Sequence, residues 1–407
     1  MKLCGITINL RRYRSALRSN LMVLLVTGLL ISCEVNASEN STHSDIESPL
    51  RYFLLGLYTV PLENFSAVKN AGFNTVHIYH DTQSLTEAKQ YLEAAEEVGL
   101  KVSQNMPRDY LSSSDEFWIE WVTSLSVYDN LVMWYLPEEP DIRGVDHDSL
   151  ARLYEIVKQY DPRDRPAALY FGGTQNLEIW CDVADIILIG CYPEYHGEPR
   201  ACVKTRIDIA REACPSKPVI GVPPFFDSRD FDHPGGYPTP LQARFDAYTS
   251  LIAGAKGLNW FCYQNGVRLS ELWNGLQTIA AELNELTPII TSPNSHQFAR
   301  AKVIAGPLHV TISYGGIYDS VQILQKGPHG NFLFATNLSP DPVESEFSGF
   351  SMDVNAVDVL YENRTIQVSR GSFRDKFEGL DVHIYQVHTP STSLDILESQ
   401  LEKVLFK

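Results

Sequence analysis

One feature constrains the fold of this chain more than any other: a short apolar run followed by an amphipathic stretch recurs eight times between Arg51 and Leu286. The apolar runs are rich in β-branched and aromatic residues, as expected for strands that are buried on both faces. Strands that alternate with helices predict a parallel sheet with right-handed crossovers. Eight units in a segment of this length match a (β/α)8 TIM barrel, an α/β fold that typically takes about 250 residues.

The boundaries of the units lie where apolar runs change to helical periodicity or to turn residues. The predicted strands are Tyr52–Val60, Phe73–Tyr79, Leu100–Met106, Leu131–Leu136, Pro166–Phe171, Ile186–Cys191, Pro218–Val222 and Lys256–Tyr263. The predicted helices are Pro61–Ala71, Leu85–Val98, Phe117–Tyr128, Ser149–Tyr160, Asn176–Val183, Cys202–Ala213, Pro240–Ala253 and Leu269–Leu286. A doubly wound open sheet is the alternative, but its glycine-rich nucleotide-binding turn is missing after the first strand.

The pattern changes after Leu286 from helical to all-β. Alternating runs separated by Gly, Pro, Asn and Asp predict a C-terminal all-β sandwich domain over residues 287–390. The predicted strand runs are His309–Ser313, Ser320–Gln325, Asn331–Asn337, Ala356–Tyr361 and Asp381–Val387. The last stretch, residues 391–407, has apolar residues at helical spacing from Ser393 to Phe406, which predicts a C-terminal helix.

The N-terminus has the pattern of a secretion signal. Five basic residues and no acid precede an apolar run from Leu21 to Ile31, which is shorter than a membrane span. The run ends in Leu30–Cys33 (LISC), which resembles the bacterial lipobox, whose cysteine is lipidated and becomes the mature N-terminus. We therefore expect residues 1–33 to be a lipoprotein signal peptide with Cys33 as the lipidation site. The alternative is a plain leader cut near Ala37.

The expected location follows from this signal. The protein would be exported across the inner membrane as an outer-membrane or periplasmic lipoprotein, with Glu34 resembling the residue that directs enteric lipoproteins to the outer membrane. Residues 34–50 are polar and lack an apolar period, which predicts a flexible linker. Contact with the membrane is expected only through the N-terminal lipid.

Charge and cysteine content exclude several classes of function. The formal net charge of −17 becomes −22 when the five positive charges of residues 1–33 are removed, so we expect no nucleic-acid partner. The other mature cysteines are Cys181, Cys191, Cys202, Cys214 and Cys262. Cys202 and Cys214 flank one predicted helix and would lie about 18 Å apart, so we expect all five to be packed thiols. No His, Cys and Asp grouping has metal-ligand spacing, and we expect no metal and no cofactor.

The ends of the predicted strands form one rim if the barrel closes, and that rim is rich in carboxylates and aromatic rings. Aromatic faces pack on the C–H faces of sugars, while carboxylates and amides bind hydroxyl groups, so the mixture favours a carbohydrate substrate. The predicted substrate-binding residues are Tyr79, His80, Asn105, Trp134, Tyr192, Tyr195, Trp260, Tyr263 and Gln264.

The segment Leu131–Asp141 (LVMWYLPEEPD) carries the strongest catalytic pattern. Its apolar strand ends at Pro137, so Glu138 and Glu139 would stand at the rim. Glycosidic cleavage needs one protonated and one ionised carboxyl group. Adjacent carboxylates raise each other's pKa, so we predict Glu139 as the proton donor and Glu138 as its modulator. The predicted second carboxylate is Glu194 or Asp227.

Two segments resemble barrel glycoside hydrolases related to clan A. Trp134–Asp141 (WYLPEEPD) is similar to their strand-four segment, which implies that Glu139 falls on the acid/base glutamate. Tyr237–Gly257 (YPTPLQARFDAYTSLIAGAKG) is similar to the segment that leads into their eighth strand, and Tyr192-Pro193 also recurs there. The resemblance implies a glycosidase that acts on a poly- or oligosaccharide.

One departure from the family pattern leaves the mechanism open. The strand-seven glutamate that acts as nucleophile in retaining members is missing, because Pro218–Phe226 contains no acid. The alternatives are an inverting enzyme, a nucleophile from another strand, and a non-catalytic glycan-binding surface lipoprotein. A polysaccharide lyase is a weaker third class, because the net negative charge disfavours a uronate polymer.

Overall fold

A closed parallel barrel of eight strands forms the larger part of the molecule. A computed structural model of the chain describes residues 48–79, 82–293, 298–312 and 316–388, all within one compact unit that begins at Asp45. The barrel strands are β1 Leu54–Tyr58, β2 Thr75–His77, β3 Lys101–Asn105, β4 Leu131–Tyr135, β5 Ala167–Phe171, β6 Ile186–Gly190, β7 Val219–Val222 and β8 Gly257–Trp260. Each strand pairs with the next in parallel, and β8 pairs with β1. The predicted (β/α)8 fold is therefore confirmed.

Strand alternation divides the barrel residues between two cores. The inward residues form a cluster of their own: Leu50, Leu54, Tyr58, Met133, Tyr135, Ala168, Tyr170, Ile186, Leu188, Ile220 and Val222. Their outward neighbours, such as Leu57 and Leu169, belong to the larger core between the strands and the helices. Strands such as β5 and β6 are therefore apolar on both faces, which is why their sequences are continuous apolar runs. The strands β2, β3 and β8 also bury polar side chains, among them His77, Ser103 and Asn259.

Seven longer helices cover the outside of the barrel: Phe65–Asn70, Leu85–Glu97, Asp115–Leu125, His147–Tyr160, Cys202–Ala213, Pro240–Ile252 and Ser270–Ile290. The predicted helix Asn176–Val183 is wrong, because only a 3-10 turn, Leu177–Trp180, follows β5. Asn176, the first residue of the predicted helix, has a φ of 55°, a left-handed conformation that places it outside a right-handed helix. Three short helices, Pro140–Arg143, Pro193–His196 and Tyr263–Gly266, begin at the carboxyl ends of β4, β6 and β8.

The C-terminal domain consists of antiparallel sheets. Its strands are β9 Arg300–Ala305, β10 His309–Ile312, β11 Gly316–Asp319, β12 Val321–Lys326, β13 Phe332–Asn337, β14 Val343–Ser348, β15 Ala356–Val359, β16 Arg364–Gln367, β17 Ser372–Phe377 and β18 Val382–Val387. A five-stranded sheet (β12-β13-β18-β15-β16) faces a three-stranded one (β17-β14-β9) across a core that includes Leu333, Phe347 and Tyr385. The predicted C-terminal β-sandwich is confirmed, although β9, β11, β14, β16 and β17 were not predicted.

The sandwich packs on the barrel through the helix Pro240–Ile252. Tyr248 of that helix stacks on Phe334 of β13 at 6.3 Å between ring centres. Arg244 donates to the carbonyl of Val382 at 2.8 Å and is held by Glu282 at 2.9 Å. Phe334 and Val382 belong to the same hydrophobic core as the barrel helices, so the five-stranded sheet supports the barrel on the side of β7 and β8.

Two disulfides correct the expectation of five free thiols. Cys181 is bonded to Cys214 and Cys191 to Cys202, and only Cys262 is a free cysteine among the described residues. As predicted, Cys202 and Cys214 are not bonded to each other, because each pairs with a cysteine from an earlier segment of the chain. Cys181 follows the 3-10 turn after β5 and Cys191 follows β6, so the two bridges tie both ends of the helix Cys202–Ala213 to the barrel.

Several sequence predictions lie outside the described residues. These are the signal peptide, the lipidation site Cys33, most of the linker, and the C-terminal helix. Within the described ranges, no helix has both the length and the apolarity needed to cross a bilayer.

The disulfides predict how the protein responds to loss of a bridge. The Cys181–Cys214 bridge joins residues that are 33 positions apart, and chain entropy gives such a bridge about 3 to 4 kcal/mol. We expect the Cys181→Ala/Cys214→Ala variant to lose roughly that free energy of unfolding in urea under oxidising conditions. Alkylation in denaturant without reductant, followed by peptide mapping, should label Cys262 in the wild-type protein. Labelling of all five cysteines would contradict both bridges.

Candidate functional site

The site is built at the point where β4 ends. Tyr135 is the last strand residue and points into the barrel, and Pro137 ends the strand. Glu139 then takes φ 48° and ψ 50°, a left-handed conformation that costs a non-glycine residue about 1 to 2 kcal/mol. Its amide donates to the carbonyl of Tyr170 on β5 at 2.9 Å. Strain of this kind persists only when neighbouring structure enforces it, and it concentrates at functional positions.

Glu138 is the more enclosed of the two adjacent acids. Its residue is 8% exposed, and both carboxylate oxygens accept hydrogen bonds. Tyr79 donates to Oε1 at 2.5 Å, Tyr135 donates to Oε2 at 2.9 Å, and Arg143 donates to Oε1 at 2.9 Å. Three donors, from the segment after β2, from β4 and from the short helix after β4, therefore hold Glu138 in one position.

Glu139 is more open and has fewer donors. Its side chain is 19% exposed, and Arg143 Nε donates to Oε2 at 3.1 Å. The other oxygen, Oε1, lies directly against Gly172 after β5, where any Cβ atom would collide with it. This carboxyl group therefore reaches across from β4 to β5 at the rim.

Burial raises the pKa of both acids. For Glu138 the main cause is desolvation, and the charge of Glu139 raises the pKa further, while the hydrogen bond from Tyr79 and the charge of Arg143 lower it. For Glu139 desolvation also dominates, and Arg143 opposes it. A carboxyl group with a raised pKa keeps its proton at a higher pH than usual, which is what a general acid requires.

Hydroxyl groups extend the network below and beside the acids. Tyr58 donates to Tyr135 at 3.1 Å, and Tyr135 in turn donates to Glu138. Tyr170 donates to Tyr192 at 2.8 Å on the β5 and β6 side. The ring of His77 packs against Tyr58 and Tyr135. Burial lowers the pKa of His77 to about 4, although its hydrogen bond with the Ser103 carbonyl opposes the shift, so the ring is uncharged at neutral pH.

The two predicted second carboxylates are held in ion pairs of their own. Glu194 pairs with Arg200, which also pairs with the fully buried Asp246. Asp227 caps the turn Ser228–Phe231 and accepts from Arg229 Nη2 at 2.6 Å. Hydrogen bonds from the Arg229 side chain hold the pKa of Asp227 below its usual value. Both residues follow the predicted strands, but their carboxylates are oriented by arginines.

The predicted sugar-binding residues separate into a group near the strand ends and a group that is buried elsewhere. Tyr79 lies in the Glu138 network, Asn105 ends β3 opposite Tyr135, Tyr192 bonds to Tyr170, and Tyr195 stacks on His233 at 3.6 Å. Gln264 is exposed in the short helix Tyr263–Gly266 that follows β8. His80 lies outside the described residues.

Three aromatic residues are not where the sequence placed them. Trp134 is fully buried in the helix layer, and its indole donates to Asp161 at 2.9 Å. Trp260 is fully buried against Phe73 at 5.8 Å between ring centres. Tyr263 is 2% exposed and packs on Trp273. Their predicted place at the rim is wrong because strand parity turns Trp134 and Trp260 outward, toward the helices, and because Tyr263 begins a short helix in which its ring packs on Trp273.

Sequence reasoning missed the residues that hold the acids in place. Arg143 is four positions after Glu139 in a helix that starts with Pro140, and this i,i+4 spacing of acid and arginine is visible in the sequence. Tyr135 and Tyr170 could be found only by assigning the inward face of each strand. A register shift between β3 and β4 at Val102/Ser103 makes that assignment unreliable from sequence.

One group of side chains has the composition of a metal site. Cys191, Glu198 and Cys202 place ligand atoms within 4.8 Å of one another. The two sulfurs are bonded to each other, and Glu198 pairs with Arg206 at 3.1 Å. In this arrangement neither thiolate is available as a ligand.

The double contact of Arg143 predicts a pH-dependent loss of stability when it is removed. Because Arg143 lowers both pKa values, Arg143→Met should raise them further above their unfolded values. At low pH both acids are protonated in the folded and in the unfolded protein, so the variant keeps its free energy of unfolding. As the pH rises through the pKa values that the two acids have in the folded protein, the variant loses stability. We expect a loss of about 1 to 3 kcal/mol at pH 7 and a smaller loss near pH 4.

The measurement is chemical denaturation at both pH values. Arg374→Met is the matched control, because Arg374 forms an exposed pair with Glu346 at 2.9 Å and should cost less than about 1 kcal/mol. Equal losses at pH 4 and pH 7 for Arg143→Met would contradict the electrostatic role.

Comparison with known proteins places the fold. No family model matches the sequence, and no curated protein matches it. A glycoside hydrolase family 5 protein from Bacteroides vulgatus has a TM-score of 0.56 at 14% identity, covering 84% of this chain and 89% of its own. The GH42 β-galactosidase Gan42B from G. stearothermophilus has a TM-score of 0.56 at 7% identity, covering 83% of this chain and 98% of its own. An α-amylase from Geobacillus thermoleovorans, complexed with acarbose, has a TM-score of 0.53 at 9% sequence identity, covering 81% of this chain and 91% of its own. At these identities the likeness shows the fold: a TIM barrel with a C-terminal β domain.

Proposed function

We propose that the protein is a glycoside hydrolase that cleaves a poly- or oligosaccharide, with Glu139 as the proton donor. The observation that carries this proposal is the Glu138–Glu139 pair, held by Arg143, Tyr79 and Tyr135 at the carboxyl end of a barrel strand. That end of a TIM barrel is where its enzymes carry their active sites. Glycosidases among the structural neighbours agree with the proposal, although they share only the fold.

The proposed reaction starts with proton transfer. Glu139, whose pKa is raised by burial, gives its proton to the glycosidic oxygen as the bond from that oxygen to the anomeric carbon breaks. Positive charge develops on the sugar ring, and a neighbouring carboxylate stabilises it. A water molecule then supplies its oxygen to the anomeric carbon and its proton to a carboxylate. Desolvation raises the pKa of Glu139 and the charge of Asp141 raises it further, while Arg143 opposes both.

The second carboxylate is the open part of the mechanism. Glu194 has one buried oxygen, Oε2, with no hydrogen-bond partner, while Arg200 binds the other. Hydrogen bonds from Arg229 lower the pKa of Asp227, so its carboxylate is ionised at neutral pH, as a general base must be. Glu194 as nucleophile or Asp227 as base remain our proposals, and the substitutions below distinguish them.

A non-catalytic glycan-binding protein is the second proposal. The observation that favours it is the arginine pairing of both Glu194 and Asp227, together with the lack of any acid in β7 and the following Pro223–Phe226. Such a protein would bind glycans at the same rim without a base to complete hydrolysis.

We further propose that Cys33 is lipidated and that the mature protein is an exported lipoprotein. The basic leader, the apolar run and the LISC sequence support this proposal. Intact-mass measurement of the membrane fraction tests it, because lipidation should place a diacylglyceryl-modified Cys33 at the N-terminus. Cleavage near Ala37 without lipid would contradict it.

Replacement of the proposed acid gives the main functional prediction. Glu139→Gln should reduce turnover of a natural glycan by about 100- to 10,000-fold while the far-UV spectrum is unchanged. In the wild-type protein, turnover should fall as pH rises through the raised pKa of Glu139, because the donor loses its proton. Glu97→Gln, at an exposed position on the helix Leu85–Glu97, is the control and should retain full activity. Full activity of Glu139→Gln would refute the assignment.

The second carboxylate is identified by two parallel substitutions. If Glu194 is the nucleophile, Glu194→Gln abolishes turnover and the wild-type product retains the anomeric configuration. If Asp227 is the base, Asp227→Asn abolishes turnover and the product is inverted. Proton NMR of the first product distinguishes the two. Glycan binding without release of any product over days would favour the non-catalytic alternative.

A further inference from the structure

Six aromatic rings lie next to one another on the β6, β7 and β8 side of the rim. This aromatic row consists of Tyr192, Tyr195, Phe226, Phe231, His233 and Phe261. Ring centres are 5.2 Å apart between Tyr192 and Phe226 and 5.1 Å apart between Phe226 and Phe231. Phe231 and Tyr195 are 6.4 Å apart, and Tyr195 stacks on His233 at 3.6 Å. The row is therefore continuous and longer than one sugar ring.

The row begins at the proposed acid site. Tyr192 accepts a hydrogen bond from Tyr170 at 2.8 Å. The Tyr170 hydroxyl and Glu139 Oε1 both lie against Gly172, since each would be within 4 Å of a Cβ atom there. A ligand placed at Glu139 thus has the aromatic row as its neighbour on the β6 side.

Exposure varies along the row, and Phe231 is its most exposed ring. Phe231 is 39% exposed, and Tyr195 and His233 are half-buried. Phe226 is 2% exposed and supports Phe231 from behind. Exposed aromatic rings beside a polar site mark a surface for binding rather than for folding.

The loop that carries Phe231 and His233 is fastened on both sides. Gly235 packs against the Glu194 backbone so closely that a Cβ atom would collide with its carbonyl. Tyr237 donates to the Asn265 carbonyl at 3.1 Å, and Asp230 pairs with Arg268. The exposed rings are therefore held in place before any ligand binds, which lowers the entropic cost of binding.

The charges around the row indicate which ligands it suits. Arg229 is paired with Asp227, and Arg268 is paired with Asp230. Anionic sugars such as uronates or sulfated sugars would need cations, and these two arginines are already neutralised. Aromatic faces instead suit the apolar C–H faces of uncharged sugars.

We propose that the aromatic row is an extended subsite that binds an uncharged oligosaccharide, with Phe231 and Tyr195 contacting sugar units beyond the one next to Glu139. This inference rests on the proposed function and names its substrate class. It makes Phe231, Tyr195 and His233 determinants of chain-length preference, while Glu139 determines the chemistry.

The test is calorimetric titration of the full chain carrying Glu139→Gln, so that bound glycans stay intact. The probes are neutral di- and hexasaccharides of gluco, galacto and manno configuration, α- and β-linked, with oligogalacturonides as the charged comparison. We expect Phe231→Ala to weaken hexasaccharide binding by about 3- to 10-fold and disaccharide binding by less. Phe298→Ala is the matched control, because Phe298 is 41% exposed in the C-terminal domain, and it should bind like the parent.

The outcomes separate the two proposals. Hexasaccharide binding that is equal in Phe231→Ala and Phe298→Ala would overturn the aromatic subsite while leaving the glycosidase proposal in place. Binding of oligogalacturonides only would overturn the uncharged substrate class. If the parent protein binds no glycan, neutral or charged, both this inference and the proposed function fail. Circular dichroism of each variant verifies that the fold is intact.

Discussion

Two adjacent carboxylates at the edge of a buried core are the constraint on which this site depends. Their desolvation raises both pKa values, and like charges so close together cannot both be ionised without compensation. Arg143 supplies that compensation by binding one oxygen of each acid. Tyrosine hydroxyls complete the shell around Glu138 and leave Glu139 the more accessible acid. The arrangement assigns different environments to two chemically identical side chains.

The rest of the barrel keeps this arrangement in place. β5 fixes Glu139 through the Tyr170 carbonyl and leaves room for its carboxyl group at Gly172. Arg206, from the helix Cys202–Ala213, donates to the carbonyls of Gly172 and Gly190 at the ends of β5 and β6. The disulfides anchor that helix at both ends. Stability far from the acids therefore contributes to the geometry of the rim.

Sequence alone predicted the fold and the location of the acids, but not the inward face of each strand. The alternation of apolar runs and helices identifies eight units, and Pro137 marks where β4 must end. Strand β4 is apolar on both faces, so periodicity cannot tell whether Trp134 or Tyr135 points inward, and Trp134 proved to face the helices. The disulfides were missed for a related reason: sequence spacing limits local pairing but does not show which distant segments the fold brings together.

The central claim is that a glycan is cleaved at Glu139, on the β4 side of the rim. The most direct test is a crystal structure of the Glu139→Gln protein with an uncut oligosaccharide bound. The account predicts that the side-chain amide introduced at position 139 lies within hydrogen-bond distance of a glycosidic oxygen, with Tyr79 and Tyr192 beside the same sugar. A glycan bound only on the C-terminal β-sandwich, or one whose glycosidic oxygens all lie away from residue 139, would contradict the account.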